Sequence, residues 1–368
     1  MRILQQCIYF PPEVGGLESH AYYLCRELVR LGHHVTMVTS RSRPGLPRRE
    51  TMDGIEVVRK WFPQKRTPVG WAAHTLGTRW HYVRLARHAD VLHAQTFASA
   101  LPGMAARRKF GKPLVLTLHT SHFLRLAKRP AWRPVLRKII RSSDWLLAAS
   151  EEIRDVALGL YPHPRAEALT NGVDTTLFHP IRKENGRGRP RVVVPRRLFE
   201  KNGVEFFIRA LPLLRGRMAV DALLVGDGPE RGRLEALASE LGVTDMLTFM
   251  GSRRNDEMPG ILAGADVAVF PSLMEATSVA ALEAMSCGLP VAASRVGGLP
   301  EIVDETVGTL FEPADPGALA SALAALLERP DLKAAGRLAR SRVVDNWSVE
   351  RLARRHVEIY ETLVREKR

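Results

Sequence analysis

Pro271-Ser272-Leu273-Met274-Glu275-Ala276-Thr277-Ser278-Val279-Ala280-Ala281-Leu282-Glu283-Ala284-Met285-Ser286-Cys287-Gly288-Leu289-Pro290-Val291 is the stretch on which the reading of this chain turns. The residues before it, Val267-Ala268-Val269-Phe270, form an apolar run without polar alternation, as expected of a strand buried on both faces. Pro271 ends that strand, Glu275 falls in the turn, a helix is predicted to start near Thr277 and Ser278, and Gly288 stops it. Glu283 then lies inside an otherwise apolar helix, where a carboxylate is costly unless it finds a partner. Hydroxyl groups of a ligand would satisfy both Glu275 and Glu283.

The same alternation of strand and helix extends outward in both directions. Apolar, β-branched runs at 35–39, 114–118, 191–194 and 222–225 are separated by helical periodicities, one carrying Leu24, Leu28 and Leu31 before Gly32 and another carrying Leu319, Leu323, Leu326 and Leu327 before Pro330. This pattern predicts an α/β protein with parallel sheets covered by helices. At 368 residues the chain exceeds one ordinary core and reads as two doubly wound domains. The polar, glycine-rich segment 182–191 is the linker candidate, giving domains at 1–182 and 183–349, with a C-terminal helix near 350–368 able to pack back on the first. Open parallel sheets bind ligands at the carboxyl ends of their strands, so two of them are expected to face a shared interdomain cleft.

Composition narrows the classes. Hydrophobic residues at 45% and charged residues at 25% are ordinary for a globular protein, which excludes a filament or an unfolded tail. The longest nearly apolar stretch, 258–271, is interrupted by Asp266 and falls short of the roughly 20 residues that span a bilayer. The opening Met1-Arg2-Ile3-Leu4 runs directly into a strand pattern instead of a signal peptide, so a cytoplasmic protein is expected. Cys7, Cys25 and Cys287 lack the spacing of a zinc site or redox pair, and no metal or other cofactor is expected.

Charge is unevenly placed. Through Arg182 there are 28 Lys and Arg against 13 acidic residues, whereas from Lys183 onward there are 26 of each. A basic first domain facing an anionic surface would produce that asymmetry. Residues 131–141 strengthen it: positions 132, 135, 136, 139 and 140 make one apolar helical face, and 133, 137, 138 and 141 are basic. Such a helix either lies on an anionic membrane or packs its apolar face on the sheet and exposes the basic side. With the basic loops expected at 41–49 and 60–66, it makes a lipid-linked or otherwise anionic acceptor the working hypothesis, with the inner face of the membrane as a docking surface.

Three further segments carry chemistry. Gly15-Gly16 at a strand-to-helix turn lets backbone N–H groups approach a phosphate, although plain tight turns use the same pair. Gly226-Asp227-Gly228-Pro229 has the wrong spacing for a dinucleotide fingerprint, which counts against a nicotinamide enzyme. After the strand at 191–194, Pro195-Arg196-Arg197-Leu198 with Lys201 places two guanidinium groups and an ammonium beside a helix start, a set suited to a diphosphate.

Taken together, these motifs resemble the family 4 retaining glycosyltransferases, whose GT-B fold consists of two Rossmann-like domains. The matching features are Gly15-Gly16 after the first strand, His119 after a middle strand, the turn Asn171-Gly172-Val173-Asp174, Arg196 or Arg197 with Lys201, Gly226-Asp227-Gly228, and Glu275 with Glu283 ahead of Cys287-Gly288-Leu289-Pro290-Val291. The resemblance implies a nucleotide-diphosphate sugar donor, a UDP- or GDP-sugar, held mainly by the second domain. Arg196 or Arg197 and Lys201 would hold its diphosphate, Glu283 the ribose and Glu275 the sugar hydroxyls, with Gly228 in the same donor loop set. His119 and the Gly15-Gly16 backbone would close from the first domain. Where the family has Gly-Phe-Gly after the first glutamate, this chain has Ala276-Thr277-Ser278, which adds hydroxyl donors to the backbone amides.

The resemblance also implies retention of anomeric configuration, by front-face attack in which the departing phosphate helps deprotonate the acceptor. No Asp-x-Asp occurs in the chain, and the Arg and Lys cluster can neutralise the leaving group in place of a metal, so metal-independent hexosyl transfer to a hydroxyl acceptor is expected. Two alternatives remain at this level. A GT-B sugar-nucleotide 2-epimerase would need no acceptor. A non-enzymatic nucleic-acid-binding protein would fit the sequence pI of about 10.3, but a basic surface without a binding module supports only non-specific contact.

Overall fold

The computed structural model describes residues 1–13, 15–61, 68–119, 121–181, 188–275 and 278–367. The chain divides into two compact units, one comprising Met1–Gly172 with Val349–Arg368 and the other Val173–Ser348.

The first unit is built on β1 (Arg2–Gln6), β2 (His34–Arg41), β3 (Arg49–Met52), β4 (Ile55–Trp61), β5 (Val91–Ala94), β6 (Leu114–Leu118), β7 (Trp145–Ala148) and β8 (Ala166–Ala168), in the order β3-β4-β2-β1-β5-β6-β7-β8. All neighbours run parallel except β3 against β4. The second unit is built on β9 (Arg191–Val194), β10 (Asp221–Val225), β11 (Leu247–Gly251), β12 (Val267–Phe270), β13 (Val291–Ser294) and β14 (Gly308–Phe311), all parallel, in the order β11-β10-β9-β12-β13-β14. Both are Rossmann-like α/β sheets. Strand order reverses between β1 and β5 in the first and between β9 and β12 in the second. At such a point the loops leaving neighbouring strands turn to opposite faces and open a crevice at the carboxyl ends.

The apolar runs become strands because they are covered on both faces. Every residue of β6 and β12 is buried. Along β9 the faces alternate as a pleat requires: Val192 and Val194 join the core with Phe207 and Leu211, while Val193 joins the opposite core with Leu282 and Met285.

Two expectations are corrected. The boundary falls at Gly172 and Val173, ten residues before the expected 182 and 183. Arg340 accounts for the shift, since its guanidinium donates to the carbonyls of Thr175 (3.0 Å) and Phe178 (2.7 Å) and to Ser286 Oγ (2.7 Å), tying 175–178 to the second unit. Most of the predicted linker, residues 182–187, lies outside the described residues. Secondly, the basic loops expected at 41–49 and 60–66 are partly strand: Arg41 ends β2, Arg49 opens β3 and Lys60 belongs to β4. Asp53-Gly54, with φ of 48° and 79°, supplies the left-handed turn that closes the β3–β4 hairpin. Residues 62–66 of the second loop lie outside the described residues.

The helix Val349–Glu366 belongs to the first unit. Leu352, Ala353, Ile359, Tyr360 and Leu363 enter its core beside Ile3, Leu24 and Leu28, and Tyr360 Oη lies 2.6 Å from His93 Nδ1. Replacing Arg340 with Met should leave the Thr175 and Phe178 carbonyls without their charged donor and cost about 3 kcal/mol, read as a lower urea midpoint. An unchanged midpoint would show that the 175–178 segment is held by something else.

Candidate functional site

The loops that follow β9 and β12 flank the strand-order reversal of the second unit, and they meet through Arg196. Its guanidinium pairs with Glu275 Oε2 at 2.5 Å, donates to Ser272 Oγ at 2.7 Å and Asn202 Oδ1 at 3.0 Å, and lies 3.5 Å from Ser278 Oγ. The guanidinium carbon sits 5.8 Å from the centre of the Phe270 ring. Both members of the pair are largely buried, and Arg196 Nε is buried without an acceptor among the described residues. Among the described residues nothing accepts from the buried Nε–H, which leaves that donor open to a ligand.

Backbone approach explains the glycines around this cluster. A Cβ on Gly203, at φ 63°, would lie 1.9 Å from the Pro271 carbonyl, and one on Gly297, at φ 52°, would lie 1.8 Å from that of Glu275. The loops after β9, β12 and β13 thus close on one another. Lys201 takes part through its backbone: its carbonyl accepts from Leu273 N (2.9 Å) and Met274 N (3.3 Å), fixing the turn that delivers Glu275. Gly228 packs likewise against Leu198, whose N–H donates to the Asp227 carbonyl at 3.0 Å.

The helix Val279–Ser286 is capped by Ser278, whose Oγ accepts from Ala281 N at 3.3 Å. Glu283 lies about 7.5 Å further along it, at 1.5 Å per residue. Its half-buried carboxylate makes no hydrogen bond or ion pair among the described residues, and desolvation pushes its pKa up to about 8. It is thus protonated near neutrality, a carboxyl kept without its counterpart.

Arg196, Lys201, Gly228, Glu275 and Ser278 come together at the carboxyl ends of one sheet, with Glu283 on the helix that Ser278 caps. Arg197, the other arginine candidate, is not part of this cluster: it is exposed and lies over the Phe199 ring at 5.6 Å. Ala276 and Thr277 lie outside the described residues. Ser272 and Asn202 complete the cluster without having been singled out from the sequence. A hydroxyl and an amide beside a basic loop are the signal that could have found them.

The candidates of the first unit also gather at strand ends. Gly15 and Gly16 follow β1, with Gly15 in extended backbone and Glu18 Oε2 2.3 Å from where a Cβ would stand. The loops after β1 and β5 line an apolar cavity of about 100 Å³ with Ile8, Leu17 and Phe97. His119, after β6, is 7% exposed, and its ring faces Gln95 Oε1 at 2.8 Å and Asn171 Oδ1 at 3.0 Å. Burial pulls its pKa down to about 3, so the ring is neutral.

Comparison with known proteins follows the same division. A model described as "Glycosyl transferases group 1" matches residues 189–329, and one described as "Glycosyltransferase Family 4" matches residues 14–177. The GDP-mannose-dependent alpha-(1-6)-phosphatidylinositol monomannoside mannosyltransferase of Mycolicibacterium smegmatis is 32% identical over 363 residues, covering 92% of each chain. The chain belongs to glycosyltransferase family 4. The D-inositol 3-phosphate glycosyltransferase of Salinispora tropica is 31% identical over 97% of this chain and 83% of its own length. In fold, the chain resembles sucrose-phosphate synthase from Thermosynechococcus elongatus, with a TM-score of 0.85 and 24% identity over 98% of both chains, as expected of GT-B glycosyltransferases.

Because Glu283 is protonated in the folded chain and ionised in the unfolded one between the ordinary glutamate range and about pH 8, folding binds a proton there, and stability falls as pH rises across that window. Thermal unfolding followed from about pH 5 to pH 8 should show that decline in the ligand-free protein, and Glu283→Gln should flatten it. A wild-type and a variant profile of equal slope would place Glu283 in water.

Proposed function

We propose that this glycosyltransferase moves a hexosyl group, with retention of configuration and without a metal, from a UDP- or GDP-sugar to the hydroxyl of a phosphate-bearing or lipid-linked acceptor. The observation that carries the reading is the Arg196–Glu275 pair at the strand-order reversal of the second unit. In the free protein Glu275 serves as counter-ion to Arg196. A donor diphosphate would take over that role, with Arg196 Nε and Lys201 as further donors, and would release Glu275 to accept from a sugar hydroxyl. Glu283 suits the ribose, whose hydroxyls give a desolvated carboxyl the partners it lacks.

The C1–O bond to phosphate breaks as the acceptor oxygen attacks C1 from the same face, and the acceptor proton passes to the departing phosphate oxygen. Charge developing on the diphosphate falls on fixed cations, which act as pre-organised stabilisers. The relatives reported above are named as glycosyltransferases, and the epimerase alternative is not favoured.

The acceptor side is assigned to the first unit, from which His119 and the Gly15-Gly16 backbone would also close on the donor sugar and phosphate. Counted by the structural units, that one holds 33 Lys and Arg against 16 acidic residues, and the second holds 21 against 23. Both relatives carry an inositol phosphate in the names of their activities, which agrees with an anionic acceptor. The basic helix Arg133–Arg141 buries Leu136, Ile139 and Ile140, so most of its apolar face packs inward. Larger apolar exposure lies on the helix Pro68–Ala86, where Leu76 (67%) and Trp80 (64%) stand one turn apart and Arg84 lies over the Trp80 ring. Tryptophan beside arginine suits the interface of an anionic membrane, and peripheral docking at the cytoplasmic face follows. No helix among the described residues is long and apolar enough to cross a membrane.

Arg196→Ala should lower kcat/KM for the nucleotide sugar by roughly 100-fold or more, while Arg197→Ala stays within about threefold of wild type, and a chelator leaves both rates unchanged. Equal losses in the two variants would reject the assignment. In vesicle sedimentation, Leu76→Ser with Trp80→Ser should abolish preference for anionic over neutral lipid. Retained preference would move the docking surface elsewhere.

A further inference from the structure

Gln95 follows β5 directly, is fully buried, and contacts the one candidate side chain of the first unit that is a titratable ring. Its two amide atoms are both engaged. Nε2 donates to Gln5 Oε1 at 2.7 Å and lies 3.5 Å from His93 Nδ1, and Oε1 faces His119 Nε2 at 2.8 Å. The other ring nitrogen, Nδ1, lies 3.0 Å from Asn171 Oδ1. A neutral imidazole has one N–H and one lone pair, so the two amides must present opposite groups. Since the amide nitrogen of Gln95 is turned to Gln5, its carbonyl is left for His119, and Asn171 must turn its NH2 to Nδ1.

We infer that Gln95 is a positioning residue for His119: it accepts the Nε2 proton, fixes the Nε2–H tautomer, and with Asn171 holds the ring by both nitrogens at the carboxyl end of β6. The surroundings reinforce a neutral ring, because His20 from the helix Gly16–Arg30 lies 4.5 Å from it, ring centre to ring centre, and His93 on β5 and His356 and Tyr360 on the C-terminal helix complete the buried group. A histidine held in this way carries no proton between partners. It serves as an oriented wall for whatever binds beside it, and its orientation is set by a residue that no motif of the family resemblance singled out.

The inference rests on the proposed function only in placing His119 at the transfer site, so its first readout is independent of turnover. Nitrogen-15 NMR of histidine-labelled protein near neutral pH, with His119 identified by loss of its signals in His119→Gln, should show Nε2 protonated and Nδ1 bare. Gln95→Leu should remove the acceptor and shift the ring toward Nδ1–H, whereas Gln95→Glu, which keeps an acceptor oxygen in the same place, should keep Nε2 protonated. With nucleotide sugar and an acceptor, Gln95→Leu should lose roughly tenfold in kcat with little change in KM for the donor, and Gln95→Glu should recover part of it. Nδ1–H in the wild type, or Nε2–H persisting in a folded Gln95→Leu protein, would overturn the inference. Tautomers as expected with no transfer in any variant would leave it standing and reject the proposed function instead.

Discussion

A single ion pair organises the second unit. Arg196 comes from the loop after β9 and Glu275, 79 residues further along the chain, from the loop after β12, the neighbouring strand of the sheet. A buried pair of this kind is poor evidence for stability, because desolvation consumes most of the Coulombic gain. Its value lies in register. Gly203, Gly226 and Gly297 give up side chains so that backbone can close around it, and Ser272, Asn202 and Ser278 add acceptors to the guanidinium. The cation is thus held in advance of any ligand, which is the condition under which fixed charge stabilises a leaving group without reorganisation.

The two units divide the chemistry between them. At its strand-order reversal the second presents a cation, a paired carboxylate and a protonated carboxyl; at the corresponding place the first presents an apolar cavity, with an amide-held histidine one strand further on, after β6. Net charge follows the same line, with all of the positive excess on the first unit and the second slightly negative. The donor and acceptor proposed above would call for such different surfaces.

Much of this was legible in the sequence, for a physical reason. Strands buried on both faces must be apolar throughout, so β6, β9 and β12 announce themselves, and the loops at their carboxyl ends are where ligands bind. Less legible were features that depend on distant partners. β8 is only Ala166–Ala168, half-buried, with no β-branched residue to mark it. The unit boundary moved because Arg340 reaches back 165 residues to Thr175. Sequence spacing left Arg196 and Arg197 as alternatives, and only the arrival of the β12 loop distinguishes a buried cation from an exposed one. Gln95 looked like any polar residue at a strand end until Gln5 and His119 were placed around it. The Asp53-Gly54 hairpin, by contrast, carries a local signal, since Asp-Gly is a turn pair that needs no distant partner.

The most direct measurement of the central claim is a crystal structure of the protein with a non-hydrolysable nucleoside diphosphate sugar. The account predicts the diphosphate within hydrogen-bonding reach of the Arg196 guanidinium, with Glu275 released to a sugar hydroxyl. A diphosphate bound elsewhere, with the Arg196–Glu275 pair intact beside it, would contradict the account.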